Sequence, residues 1–109
     1  MSNVDEQFEG IKVIFPDSYL SADGDKAVVI IPAATFPSGG LDHTMRLLLY
    51  PHHHSGYLTR LFFENPLGVG NNWSAYFVCD ETWNAPSYQG VTADQPWTSI
   101  LAQHLRAMT

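Results

Sequence analysis

One sulfhydryl, Cys79, occurs in the 109 residues, inside the run Asn71-Asn72-Trp73-Ser74-Ala75-Tyr76-Phe77-Val78-Cys79-Asp80-Glu81-Thr82-Trp83. A thiol in such a place is either a small buried hydrophobe or, if a partner can reach it, a nucleophile or acyl carrier. Asp80 and Glu81 follow it directly, and like charge opposes thiolate formation. That counts against a papain-like hydrolase. It is compatible with thioester exchange, in which a carrier cysteine takes an acyl group from another thioester.

The other chemistry-bearing residues are less pointed. His52, His53 and His54 follow Pro51. In an extended segment neighbours point to opposite sides, so only His52 and His54 could share an ion, with Cys79 or His43 completing the set. No ligand-spacing motif accompanies them, and a solvated loop without metal is expected. Ser55 and Ser74 lack the Gly-x-Ser-x-Gly elbow, and no glycine-rich phosphate loop precedes a helix. No cofactor is implied.

The elements that position these residues read as α+β. Residues 1 to 9 suggest a tail or one helical turn. Ile11, Val13 and Phe15 alternate like a strand ended by Pro16, and Ala22-Asp23-Gly24-Asp25 has turn chemistry. Ala27 to Ile31 is a short β-branched run, followed by the turn Pro37-Ser38-Gly39-Gly40. Thr44–Tyr50 and Tyr57–Glu64 supply two more apolar segments, making a four-stranded antiparallel meander. Asn65 to Gln95 shows no sustained period and is expected to be an irregular, functional loop packed down by Trp73, Tyr76, Phe77, Trp83 and Tyr88. Trp97, Ile100, Leu101, Leu105 and Met108 then form the stripe of a C-terminal amphipathic helix, with Pro96 in its first turn, Asp94 near its amino end and His104 half-buried.

Length and composition fit one domain spanning residues 1–109, with 45% hydrophobic residues. That length suffices for a single core. Five basic against eleven acidic residues give a formal charge of −6, which repels phosphate backbones and argues against nucleic acid. The acidic start and the lack of a long apolar run argue against a secretory signal and a membrane span. One cysteine forms no internal disulfide, and a reducing cytoplasm is the expected compartment.

The order of these features, with Tyr50-Pro51 closing the third strand, an irregular loop carrying Cys79, then Trp97 opening a helix, resembles the ubiquitin-conjugating enzyme fold. It looks most like the compact bacterial branch linked to ubiquitin-like conjugation operons. The resemblance covers roughly residues 11 to 108. Cys79 falls about where the family's catalytic cysteine lies, and Asn71 where the asparagine of its His-Pro-Asn motif lies, although Val69-Gly70 stand in place of His-Pro. His52 to Ser55 replace the usual prolines, the Cys79 to Trp97 interval is longer than in eukaryotic members, and the first long helix and carboxy-terminal helices look absent. The resemblance implies a carrier that holds a ubiquitin-like modifier as a thioester on Cys79, receives it from an activating enzyme and passes it to a protein substrate. Asn71 would then bond the oxyanion and Asp80 orient or deprotonate the amine. Asn71-Asn72 after Gly70 reads equally as a turn, and Asp80 as an exposed loop acid. The alternative function is a non-catalytic adaptor of the same fold that binds a partner protein.

Overall fold

The computed structural model describes residues 4–109. The chain runs through α1 (Val4–Ile14), β1 (Tyr19–Asp23), β2 (Lys26–Ser38), β3 (Leu41–Tyr50), β4 (Arg60–Phe63), β5 (Ser74–Val78), β6 (Glu81–Ala85) and α2 (Trp97–Arg106). One six-stranded sheet has the order β1-β2-β3-β4-β6-β5, with every pairing antiparallel. The α+β class agrees with the sequence; the strand count of four does not.

The first correction lies at the amino end. Residues 11–15, expected as a strand, belong to helix α1 and its exit. Alternation of Ile11, Val13 and Phe15 competes there with the helical spacing of Phe8, Ile11 and Phe15. The helical spacing wins because these three pack on the core while Val13 and Ile14 stay exposed. Asp5 and Glu6 in the first turn and Lys12 in the last suit the helix dipole. An amino-terminal helix of 11 residues is therefore present where a tail or a single helical turn was expected. Gly10 lets it approach α2: a Cβ there would sit 3.1 Å from the Thr98 methyl.

The turns fall where glycine marks them. Gly24 (φ 62°) joins β1 to β2, and Gly39 (φ 60°) with Gly40 (φ 83°) joins β2 to β3. The uninterrupted apolar runs Val28–Ile31, Leu47–Tyr50 and Leu61–Phe63 follow from a sheet buried on both sides. Val29, Ile31, Leu47, Leu49, Leu61 and Phe63 face the helices, where Ile11, Trp97, Ile100 and Leu101 close the larger core. Val28, Ile30, Leu48, Tyr50 and Phe62 face the other way. There they meet Val78, Trp83 and Ala85 of the β5–β6 hairpin.

That hairpin is the second correction. The stretch from Asn65 to Gln95 contains two paired strands, with registers from Ser74↔Ala85 to Val78↔Glu81. It is tied to β4 by one bridge, Phe63↔Asn84, so it is free to curl across the second face of the sheet. Arg46 of β3 holds it from below: Nη2 donates to Glu81 Oε1 at 2.6 Å, and the guanidinium lies 4.9 Å from the Trp83 ring centroid.

Helix α2 docks largely as its stripe implies, with Trp97, Ile100 and Leu101 buried and Leu105 partly so, while Met108, expected in the helix, is buried just beyond its end at Arg106. Its amino end has no acid in the first turn and no side-chain cap from Pro96. Instead the Trp97 backbone N–H donates to Gln7 Oε1 of α1 at 3.0 Å, so the two helices are coupled end to side. His104 is buried at 6% exposure, deeper than the half-buried position expected. Thr59 Oγ1 donates to the Val91 carbonyl (2.8 Å) and therefore accepts from His104 Nε2–H (2.9 Å), which fixes the neutral tautomer.

Two outcomes follow. Trp97→Ala should cost about 3 to 5 kcal/mol, the usual loss for a large buried aromatic, and leave the protein unfolded or nearly so. Denaturant melts within about 1 kcal/mol of wild type would disprove this packing. Burial and the nearby Arg60 charge hold His104 down at about 4, against about 6.5 unfolded. The unfolded chain therefore takes up the proton first, and stability falls as pH drops from 6.5 to 4, by about 3 kcal/mol. Urea melts across that window should show the loss, and His104→Gln should flatten it.

Candidate functional site

Cys79 and Asp80 are the two residues joining β5 to β6, and both have positive φ, 51° and 63°. A two-residue hairpin of this kind demands left-handed backbone at both positions, which is why Asn-Gly usually fills it. Asp tolerates the conformation; cysteine does so at a cost of about 1 kcal/mol. The thiol thus sits at a tight hairpin tip instead of in an irregular loop, partly exposed.

The curled hairpin brings this tip to the opposite edge of the sheet, against β1. Cys79 Sγ donates to the Ala22 carbonyl (3.4 Å) and accepts a long contact from Ser21 Oγ (3.9 Å). Next to it Tyr50 OH reaches across to Asp23 Oδ2 at 2.5 Å. Burial pushes the Cys79 thiol up; the Ser21 hydroxyl opposes that, and the carboxylates Asp23, Asp80 and Glu81 push it further up. Tyr50 is also raised, by burial and then by its bond to Asp23. The thiol is therefore protonated at neutral pH, as its acidic neighbours implied, and Ser21, Asp23 and Tyr50 are the partners that sequence spacing did not reveal.

Asn71 lies elsewhere. Its carbonyl accepts from the Ser87 N–H (2.8 Å) at the base of the hairpin, with the five residues of β5, at about 3.3 Å each, between it and the tip. Gly70 (φ 95°) is required there: a Cβ would press on Trp73 Nε1 at 3.2 Å and Pro86 at 3.3 Å. Asn71 thus does the turn work of its alternative reading and is not brought to Cys79. Asp80 is brought to it, as its neighbour in the turn.

The three histidines do not form a uniformly solvated loop. His53 is exposed. His52 Nε2–H donates to the Ala27 carbonyl at 2.8 Å. His54 packs edge-on against Tyr50, Phe62 and Tyr76, with centroids 5.0 to 5.6 Å away, and its Nδ1 is buried without a partner. Burial first, then the Arg60 charge, lowers its basicity. Arg60, 3% exposed, lies over Tyr57 (4.2 Å) and Tyr76 (4.6 Å) and donates to the Pro86 carbonyl. This loop contains its own tight turn at Ser55 (φ 51°) and Gly56 (φ 87°), with His54 and Tyr57 exchanging backbone bonds. His43 stacks on Phe36 and donates to the Ser38 carbonyl, far from the others in register. Among the described residues no group of three or more His, Cys, Asp or Glu is placed to hold a metal ion. Among them, too, no helix is long and apolar enough to cross a membrane.

Comparison with protein-family models, curated proteins and solved structures found no match.

The strained thiol yields a stability test. Cys79→Gly relieves the left-handed backbone and should raise stability by about 1 kcal/mol in denaturant melts. A loss of more than about 1 kcal/mol would instead show the side chain to be a packing element. Alkylation of the native thiol should be slow at pH 7 and quicken with pH, and Asp23→Asn should speed it at fixed pH by removing one of the charges that raise the thiol.

Proposed function

We propose that Cys79 carries an acyl group, the carboxyl end of a ubiquitin-like modifier, as a thioester and releases it to an amine of a protein substrate. The observation that supports this reading is the position of the thiol: partly exposed on a hairpin tip and surrounded by Asp23, Asp80 and Glu81. Negative charge opposes the thiolate that a hydrolytic or peroxidatic cysteine needs at neutral pH. It does not oppose a thioester, which is neutral. The same carboxylates draw in the ammonium of a lysine, and Asp80 takes its first proton to free the nitrogen lone pair; the second proton, lost once nitrogen has bonded to the acyl carbon, goes to the departing sulfur. The carbon–sulfur bond then breaks and the sulfur leaves as thiolate, to be reprotonated. Asn71 has no part in this reading, and Asp80 keeps the role of receiving the amine.

Loading is the slow partner in this scheme, because the thiol must first ionise against its surroundings. An activating enzyme with its modifier and a reducing cytoplasm complete the requirements. The adaptor alternative draws on Phe77, which stands 73% exposed on the outer face of edge strand β5, two residues from Cys79. An exposed aromatic there suits a docking contact for a partner protein whether or not the thiol is acylated.

A non-reducing gel of the protein with activating enzyme, modifier and ATP decides between them. Wild type should form a reductant-sensitive adduct that a lysine chase discharges, Cys79→Ala should form none, and Asn71→Ala should behave as wild type. Loading should quicken as pH rises, and Asp23→Asn should load faster at pH 7. No adduct from wild type, with an activating enzyme that charges itself, would leave the adaptor reading.

A further inference from the structure

Strand β2 is 13 residues long, yet β1 covers only its first part: pairing ends at Tyr19↔Ile30. From Ile31 to Ser38 the β1 side of β2 has no strand partner among the described residues. A bulge between Ile31 and Ala34 twists this stretch, and the connector from α1 into β1 runs beside it at a distance. Between the two lies a groove of about 320 Å³, walled by Ile14, Phe15, Pro16, Asp17 and Ser18 on one side and by Ile31 to Ala33 with Thr35 on the other. Ile14 is 56% exposed at its rim.

Inside this wall is an unspent hydrogen-bonding group. Ser18 is 3% exposed and its Oγ has no partner. A buried hydroxyl left unpaired costs about 1 to 3 kcal/mol, and it lies beside a strand edge whose backbone groups are also unpaired by any strand. Only an extended backbone supplies donors and acceptors at the strand repeat of about 3.3 Å. Pro32 and Pro37 bracket the edge, limiting pairing to Ala33–Phe36; a bracketed edge suits a short peptide better than open-ended self-association. Asp17 in the wall and a chain charge of −6 favour a basic visitor.

We infer that this groove is a peptide-docking site, in which an extended segment of a partner protein adds to the β2 edge. An apolar side chain of that segment lies against Ile14 and Pro32, a polar group meets Ser18 Oγ, and flanking lysine or arginine faces Asp17. The inference is independent of the chemistry at Cys79, which sits on the other end of β1 and faces the hairpin.

The test is a titration of isotope-labelled protein with the blocked peptide acetyl-Lys-Val-Thr-Val-Lys-amide, followed by amide chemical shifts. Saturable shifts at Ser18, Ala33 and Thr35, with a dissociation constant on the order of 1 mM, are expected. Ser18→Ala should weaken binding about fivefold, the worth of one hydrogen bond, and should fold normally because it removes an unpaired group. Ile14→Gln, an exposed position, should also weaken it. The same peptide N-methylated at both valines should not bind, and the version with glutamates for lysines should bind more weakly. Absence of saturable shifts up to about 5 mM, or equal binding of the N-methylated peptide, would overturn the inference. So would a sedimenting dimer whose Ala33 and Thr35 amides lose protection on dilution, since the edge would then belong to a second copy.

Discussion

The structure depends on a hairpin that leaves its own sheet. Strands β5 and β6 are held to β4 by the single bridge Phe63↔Asn84, and beyond that point their apolar side chains have nowhere to go but back over the sheet. Val78, Trp83 and Ala85 cover Val28, Ile30, Leu48, Tyr50 and Phe62, side chains that would otherwise line a solvent face. Fully burying each is worth roughly 1.5 to 3 kcal/mol. The hairpin is therefore a stabilising layer first, matching the helices on the other side. Its reach across the sheet is also what delivers residue 79 to strand β1, 57 residues earlier in the chain.

Precision at that tip comes from the neighbouring aromatic and basic residues. Tyr50 is packed by Phe62, His52 and His54 at 5.0 to 5.9 Å and spends its hydroxyl on Asp23. Asp23 in turn opens the β1–β2 turn. Arg60 stacks between Tyr57 and Tyr76 and anchors to Pro86, so the histidine loop, the hairpin and the segment after it share one guanidinium. Burial first, and that positive charge second, lower the basicity of His54 and His104. A guanidinium between aromatic faces is held by attraction to the rings.

Much of this was legible in the residues, and the failures share a cause. The turns at Gly24 and Gly39-Gly40, the β-branched run after Ala27, the two apolar runs that follow and the stripe from Trp97 are local signals that tertiary context only reinforced. Residues 11–15 misled because five residues can satisfy a period of two and one near four, and packing of Phe8, Ile11 and Phe15 decided between them. The β5–β6 hairpin was missed because its turn carries Cys-Asp where Asn-Gly would announce one, and because β5 exposes Phe77 while burying Val78. Ser21, Asp23 and Tyr50 could not have been joined to Cys79 from spacing. The contact exists only after the hairpin curls, a consequence of which sheet face lacked a cover.

The same geometry explains why a cysteine can occupy a position that glycine or asparagine would fill with less strain. Packing uses it only in part: the side chain lies partly buried against the cluster of Val78 and Trp83 and partly open. Redox pairing does not require it, since no second cysteine exists in the chain. What the position supplies is a partly exposed sulfur on a tight turn, laid against the Ala22 carbonyl and next to a carboxylate bonded to a buried tyrosine. Backbone strain at a non-glycine residue, as at Cys79 with φ 51°, points from the outlier toward a use for the side chain. Under the proposed carrier reading, a thiol that resists ionisation is a poor attacking group but, once acylated, would hold a neutral thioester beside carboxylates that attract amines.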